Sequence, residues 1–195
     1  MSGEAPLRVI AAIERKDDAT KLVALLSDRR ADPDEQNEYG ETPLLIASRQ
    51  GSADLCAALL AHGAVVDETD GAGFTSLHRA CDYGHIEVVR ALLAHSPNVN
   101  AITNRDRLTP CHLAARRGFG PIVRTLVGAG ADLSRRDSEG RRPVDEAARY
   151  GHKAVVDGIA SSFHDMNGVQ VAKSKHRKRI IISKPPPGLS SLSSN

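Results

Sequence analysis

The chain has 195 residues, 41% hydrophobic, 26% charged and only 3% aromatic, a balance that supports a packed domain of small aliphatic side chains and excludes a core built on aromatic rings. The formal net charge of +2 hides a division: six basic residues and no acid follow Asp165, which leaves the preceding residues at −4, so the basic character belongs to the C-terminal segment and does not mark the whole chain as nucleic-acid-binding. No apolar run approaches the roughly 18 residues of a membrane span, and Met1 to Lys16 holds only the short apolar run Val9 to Ile13, so neither secretion nor membrane anchoring is expected.

Taken in chain order, Arg15 to Leu26 aligns with Arg49 to Leu60 at a spacing of 34, with Asp17 where the later copy has a glycine and no Thr-Pro ahead of it. This predicts an atypical front unit, residues 1–37. Three fuller copies follow, at 38–70, 71–103 and 104–137. They carry Glu41-Thr42-Pro43-Leu44, Phe74-Thr75-Ser76-Leu77-His78 and Leu108-Thr109-Pro110-Cys111-His112. Gly40, Gly73, Arg107 and Gly140 are spaced 33, 34 and 33 apart, and Gly51, Gly84, Gly118 and Gly151 keep the same steps. Two landmarks that drift together through one inserted residue define a repeat.

Each copy has a physical reading. Thr42, Thr75 or Thr109 is placed to cap a helix, and Pro43 or Pro110 presets its first turn. The helix runs about two turns, through Leu44 to Arg49, Leu77 to Tyr83 or Cys111 to Arg117, and stops at a glycine able to take a positive φ. A second helix is predicted over Ala53 to Ala61, Ile86 to Ala94 and Pro121 to Val127. In the third copy Arg107 replaces a turn glycine and the loop is one residue longer, so distortion is expected between Ser96 and Arg107. Arg142-Pro143-Val144-Asp145-Glu146-Ala147 keeps the frame with Arg for Thr, Asp for His and Glu for an apolar residue, which predicts a back unit over 138–165. Residues 166–195, rich in Lys, Arg, Ser, Pro and Gly, are expected to form a disordered basic tail. It contains the cluster Lys173, Lys175, Arg177, Lys178 and Arg179, an Ile180-Ile181-Ile182 run and Pro185-Pro186-Pro187.

The period and the T-P-L-H-x-A chemistry resemble the ankyrin repeat family over about residues 5 to 165. The resemblance implies an all-α helix-turn-helix solenoid of about five repeats including caps, with short β-turn or hairpin loops. It further implies that His78 and His112 hydrogen-bond backbone groups of the adjacent turn, a position that Leu45 fills in the first full copy.

Chemistry has little to stand on. The motif histidines are a repeat apart and do not converge as metal ligands would. No nucleophile elbow, P-loop or dinucleotide fingerprint is present. Cys56, Cys81 and Cys111 lack a C-x-x-C partner and read as buried thiols of a reducing compartment. No catalytic residue, metal or cofactor is therefore expected.

Function is expected on a surface. In the ankyrin architecture the turn tips and the exposed ends of the first helices line a concave face that grips partners. Carried over by frame, the candidates are Tyr39, Glu41 and Arg49, then Phe74, Arg79, Asp82 and Tyr83, then Arg105, Leu108, Arg116 and Arg117, and lastly Arg141, Arg149 and Tyr150. Four of the chain's six aromatics fall among them. Acids lie at the front and arginines at the back, which points to an extended or acidic-ended protein segment as partner. The expected molecule is a non-enzymatic, monomeric adaptor or scaffold, cytoplasmic or nuclear or both. Two further readings stay open: a nuclear regulatory protein whose tail serves import or nucleic-acid contact, and a structural spacer. Asn100 occupies a turn position that asparaginyl hydroxylases modify in some ankyrin-like proteins.

Overall fold

A computed structural model describes residues 8–15, 18–28 and 31–167. Among them lie ten helices in five pairs: α1 (Arg8–Glu14) and α2 (Ala19–Leu26), α3 (Pro43–Gln50) and α4 (Ala53–Ala61), α5 (Ser76–Tyr83) and α6 (Ile86–Leu93), α7 (Pro110–Arg117) and α8 (Gly120–Gly128), α9 (Pro143–Arg149) and α10 (Lys153–Asn167). The odd-numbered helices stack on one another in one layer and the even-numbered in a second. The result is an all-α solenoid, with one antiparallel bridge between Thr69 and Thr75 in place of any strand among the described residues. Asp17, which takes the place of a helix-ending glycine, lies outside the described residues, and α10 runs to Asn167, two residues into the expected tail.

The first helix of each full copy starts where the threonine predicts. Thr42 Oγ1 accepts from the Leu45 N–H at 3.3 Å, and Thr75 and Thr109 accept from His78 and His112 at 3.4 Å. The histidines close the cap from the other side: Nδ1 accepts the Thr75 and Thr109 backbone N–H groups at 3.1 and 3.2 Å. In α9 the same closure is made by Asp145, whose carboxylate accepts the Arg142 N–H at 2.9 Å, so the exchange of His for Asp preserves the cap.

The turns between pairs are held by one acceptor each. Asn37 Oδ1 takes the N–H groups of Tyr39 and Glu41, Asp70 Oδ1 those of Ala72 and Phe74, and Asp137 Oδ1 those of Glu139 and Arg141. Thr103 occupies that place in the third copy and accepts from Leu108 at 3.1 Å. The inserted residue therefore lies between Thr103 and Leu108, and the expected distortion is confined there. Arg107 and Ser96 both sit at φ 53°, in the left-handed region where the other copies place glycine.

Successive turns are joined to one another: Gly71 donates to the Tyr39 carbonyl at 3.2 Å, Asn104 to Ala72 at 3.0 Å and Ser138 to Asp106 at 2.9 Å. Between inner and outer layers the core is aliphatic and small, with Leu44, Ala47, Leu59, Ala80, Leu92, Ala114, Leu126 and Ala147 fully enclosed. Cys56, Cys81 and Cys111 are buried and unbridged. Burial pushes the Cys56 thiol up to about 11, the Cys111 thiol to about 12 and Cys81 in the same direction, which keeps all three protonated and unreactive.

Rings lock neighbouring copies. The His85 imidazole lies over Gly51 so closely that a Cβ there would stand 2.5 Å from Nδ1, and its Nε2–H donates to the Arg49 carbonyl at 3.0 Å. His152 does the same over Gly118, donating to the Arg116 carbonyl at 2.9 Å. These glycines thus serve twice, for a left-handed φ near 80° and for the approach of a ring from the next copy.

Candidate functional site: a groove between turn tips and inner helices

The turn tips and the free ends of the inner helices form the two rims of a groove. At its front this is an open concavity of about 610 Å3 whose lining includes Tyr39, Gly71 and Ala72 from two tips and Glu41, Arg49 and Arg79 from the helix side. The frame carries the same two rims to the back, where Arg105 occupies a tip and Arg116, Arg117 and Arg149 the helix ends.

The three tyrosines stand out into solvent, Tyr39 at 68%, Tyr83 at 50% and Tyr150 at 52% exposure. Phe74 is different. It is half-buried against the core, meets the His78 ring edge-on at 5.9 Å and carries the Arg79 guanidinium 4.3 Å above its face. Leu108 does not face the groove at all: it is buried, at 3% exposure. The apolar side chain at the end of a turn gains more from the core beneath than from the groove above.

Most candidate charges are already paired. Glu41, itself buried, holds Arg49 at 2.5 Å, and Asp70 holds Arg79. Asp82 reaches across copies to Arg117 Nε at 2.8 Å. Arg141 serves three carboxylates, Asp137 at 3.1 Å, Glu146 at 2.7 Å and Glu139. Glu146, which takes an apolar position of the frame, is 1% exposed beneath that guanidinium. Arg149 is exposed, 3.9 Å from Glu139 and 5.8 Å from the Tyr150 ring centre. By contrast, Arg105, Arg107 and Arg116 make no ion pair with a described carboxylate, and the first two are exposed. Sequence reasoning missed Arg107, because its place in the frame belongs to a turn glycine.

The histidines are structural in their bonding. His78 Nε2–H donates to the Leu108 carbonyl and His112 Nε2–H to the Arg141 carbonyl, both at 3.0 Å. Burial pulls the His78 imidazole down to about 4 and lowers His112 as well. Each therefore stays neutral with its proton on Nε2, the tautomer that joins one copy to the next. Among the described residues no three His, Cys, Asp or Glu side chains converge to hold a metal ion.

Asn100 is engaged rather than projecting. Its Oδ1 accepts the Asp132 N–H at 2.8 Å and its Nδ2 donates to the Gly130 carbonyl at 3.1 Å. Asp34 and Asp67 accept from Val65 and Asn98 in the same way one copy earlier each time, so the position serves inter-repeat bonding. The tail cluster Lys173, Lys175, Arg177, Lys178 and Arg179 lies outside the described residues. No helix among the described residues is long and apolar enough to cross a membrane.

Comparison with known proteins agrees with the repeat fold. The family described as Ankyrin repeats (3 copies) matches residues 9–103 and 96–169. The human cyclin-dependent kinase inhibitor 2A is 34% identical over 134 residues, 69% of this chain and 64% of that protein. The cyclin-dependent kinase 4 inhibitor B of Bos taurus is 31% identical over 145 residues, 74% of this chain and 85% of the relative. A transient receptor potential cation channel subfamily A member 1 homolog of Caenorhabditis elegans is 32% identical over 139 residues, 71% of this chain, but the match spans only 8% of the channel. Period, caps, stacked pairs and these matches together place the chain in the ankyrin-repeat family.

Proposed function

We propose that the protein is a non-enzymatic adaptor or scaffold that binds a protein segment laid along the groove. The observation that carries this reading is the placement of Tyr39, Tyr83 and Tyr150. A chain with six aromatics exposes these three by half or more: Tyr39 lines the front concavity, and the frame puts Tyr83 and Tyr150 at the ends of the first helices of later copies. Tyrosine offers large contact area at low entropic cost, with a hydroxyl that tolerates water when the partner is absent. Support also comes from relatives whose names state action on cyclin-dependent kinases, that is, through a protein partner. For this chain only the shared mode is proposed, with Tyr39, Arg49, Tyr83, Arg116, Arg117, Arg149 and Tyr150 as contacts.

The test is affinity purification of partners with the wild-type chain beside a Tyr83→Ala, Tyr150→Ala variant and an Arg90→Ala control on the outer layer. Loss of the recovered partners from the tyrosine variant alone, with unchanged helix content, is the expected result. Equal recovery by all three would move the site off the groove. A partner recovered only when residues 168–195 are present would favour the tail reading.

A further inference from the structure

The groove has two electrostatic halves. Residues 31–100 contain eleven carboxylates against three basic side chains, whereas 101–150 contain ten basic side chains, all arginine, against six carboxylates. Internal pairing sharpens this division. Both front arginines of the groove, Arg49 and Arg79, are neutralised by nearby carboxylates, Glu41 and Asp70. At the back, Arg105 and Arg107 on the tip and Arg116 on the opposite rim are left without a carboxylate among the described residues.

Arg116 is also spared a competing charge. The end of an inner helix ordinarily presents unsatisfied carbonyls of negative character. Here the Arg116 carbonyl is taken by His152 Nε2–H, and those of Ala114 and Ala115 by the N–H groups of Phe119 and Gly118. Arg116 is partly buried, and it is followed in the chain by Arg117, the frame equivalent of Tyr83 and Tyr150 in the copies on either side.

Resting on the groove reading above, we infer that the back half of the groove receives a block of clustered carboxylates in its partner. Arg105, Arg107 and Arg116 grip that block, Tyr83 and Tyr150 flank it, and the acidic front half excludes it. Arginine suits this task because its planar fork pairs with carboxylates through two parallel hydrogen bonds. The arrangement also sets polarity: the partner's acidic block lies over the third full copy and the back unit, and whatever follows it passes toward Tyr39.

The test uses the full chain with Lys173, Lys175, Arg177, Lys178 and Arg179 changed to Ser, so that tail charges cannot capture the probe. Fluorescence anisotropy is read with labelled oligoglutamate, oligolysine and phosphoserine peptides. Oligoglutamate is expected to bind with an affinity that falls as salt rises, and Arg105→Glu with Arg116→Glu is expected to weaken it about tenfold. Arg124→Glu, on the outer layer, should leave it unchanged. Equal binding by the double variant, or preference for oligolysine, overturns the inference. Much tighter binding of phosphoserine through the same arginines would assign the site to phosphate and overturn the carboxylate assignment. If the tyrosine variant loses its natural partner while oligoglutamate ignores the arginines, the groove reading stands and the acidic block alone falls.

Discussion

Gly118 and Gly151 share nearly the same backbone, φ 82° and 79°, but only Gly118 has a ring over it. Alanine at Gly151 meets nothing within 4 Å and should cost about 1 kcal/mol for the left-handed conformation. Alanine at Gly118 must also displace the His152 imidazole and its hydrogen bond, for a total of about 2–4 kcal/mol. Urea titration of the two variants checks this, and equal losses would remove the ring-lock account. Ser96 offers the opposite sign. It holds φ 53° where Gly63 and Gly130 stand in neighbouring copies, so Ser96→Gly should stabilise by roughly 0.5–1 kcal/mol, the strain relieved exceeding the added freedom of the unfolded chain. His78 sets a pH dependence. Its folded pKa of about 4 lies below the unfolded value near 6.5, so the unfolded chain takes up the proton first as pH falls. The stability contributed is full above about 6.5, declines as pH falls toward 4, and amounts to at most about 3 kcal/mol. His112 shifts in the same direction. A urea midpoint that stays constant from neutral to mildly acidic pH would contradict the neutral, bonded histidines.

At the scale of the element, helix starts and stops were legible because their causes lie within four residues. Thr42, Thr75 and Thr109 cap three positions ahead, and Gly51, Gly84 and Gly118 end the same helices with positive φ. The second helices were legible from their apolar spacing, to within a residue or two. Which leucine of a pair goes inside was not, since Leu92 is fully buried and Leu93 only partly. Leu92→Ala, in a central copy, should therefore cost about 2–5 kcal/mol. Leu26→Ala, 8% exposed in the front unit, should cost less because it supports a neighbour on one side only. Denaturant unfolding of both variants checks the ordering.

For the whole molecule, stability is a chain of nearest-neighbour contacts and function a surface drawn across them. Tyr83→Ala should weaken a groove-bound complex by about 1–3 kcal/mol, mainly through faster dissociation, whereas Arg116→Glu should chiefly slow association and flatten its salt dependence. Surface plasmon resonance at two salt concentrations separates the two effects. The sequence by itself determined the repeat, the family and the caps, since each follows from short-range chemistry repeated at a constant step, and it supplied candidate rows of residues for the groove. Only the tertiary structure decided which of those candidates are paired or buried. Asp82 and Arg117 are 35 residues apart in the chain yet paired, Arg141 is consumed by three acids, and Leu108 turns inward. Arg116 makes no ion pair with a described carboxylate, while His152, from the next copy, occupies its carbonyl. Partner choice among charges depends on distances between stacked copies, and a linear spacing of 33 or 34 residues brings copies together without saying which side chains then meet.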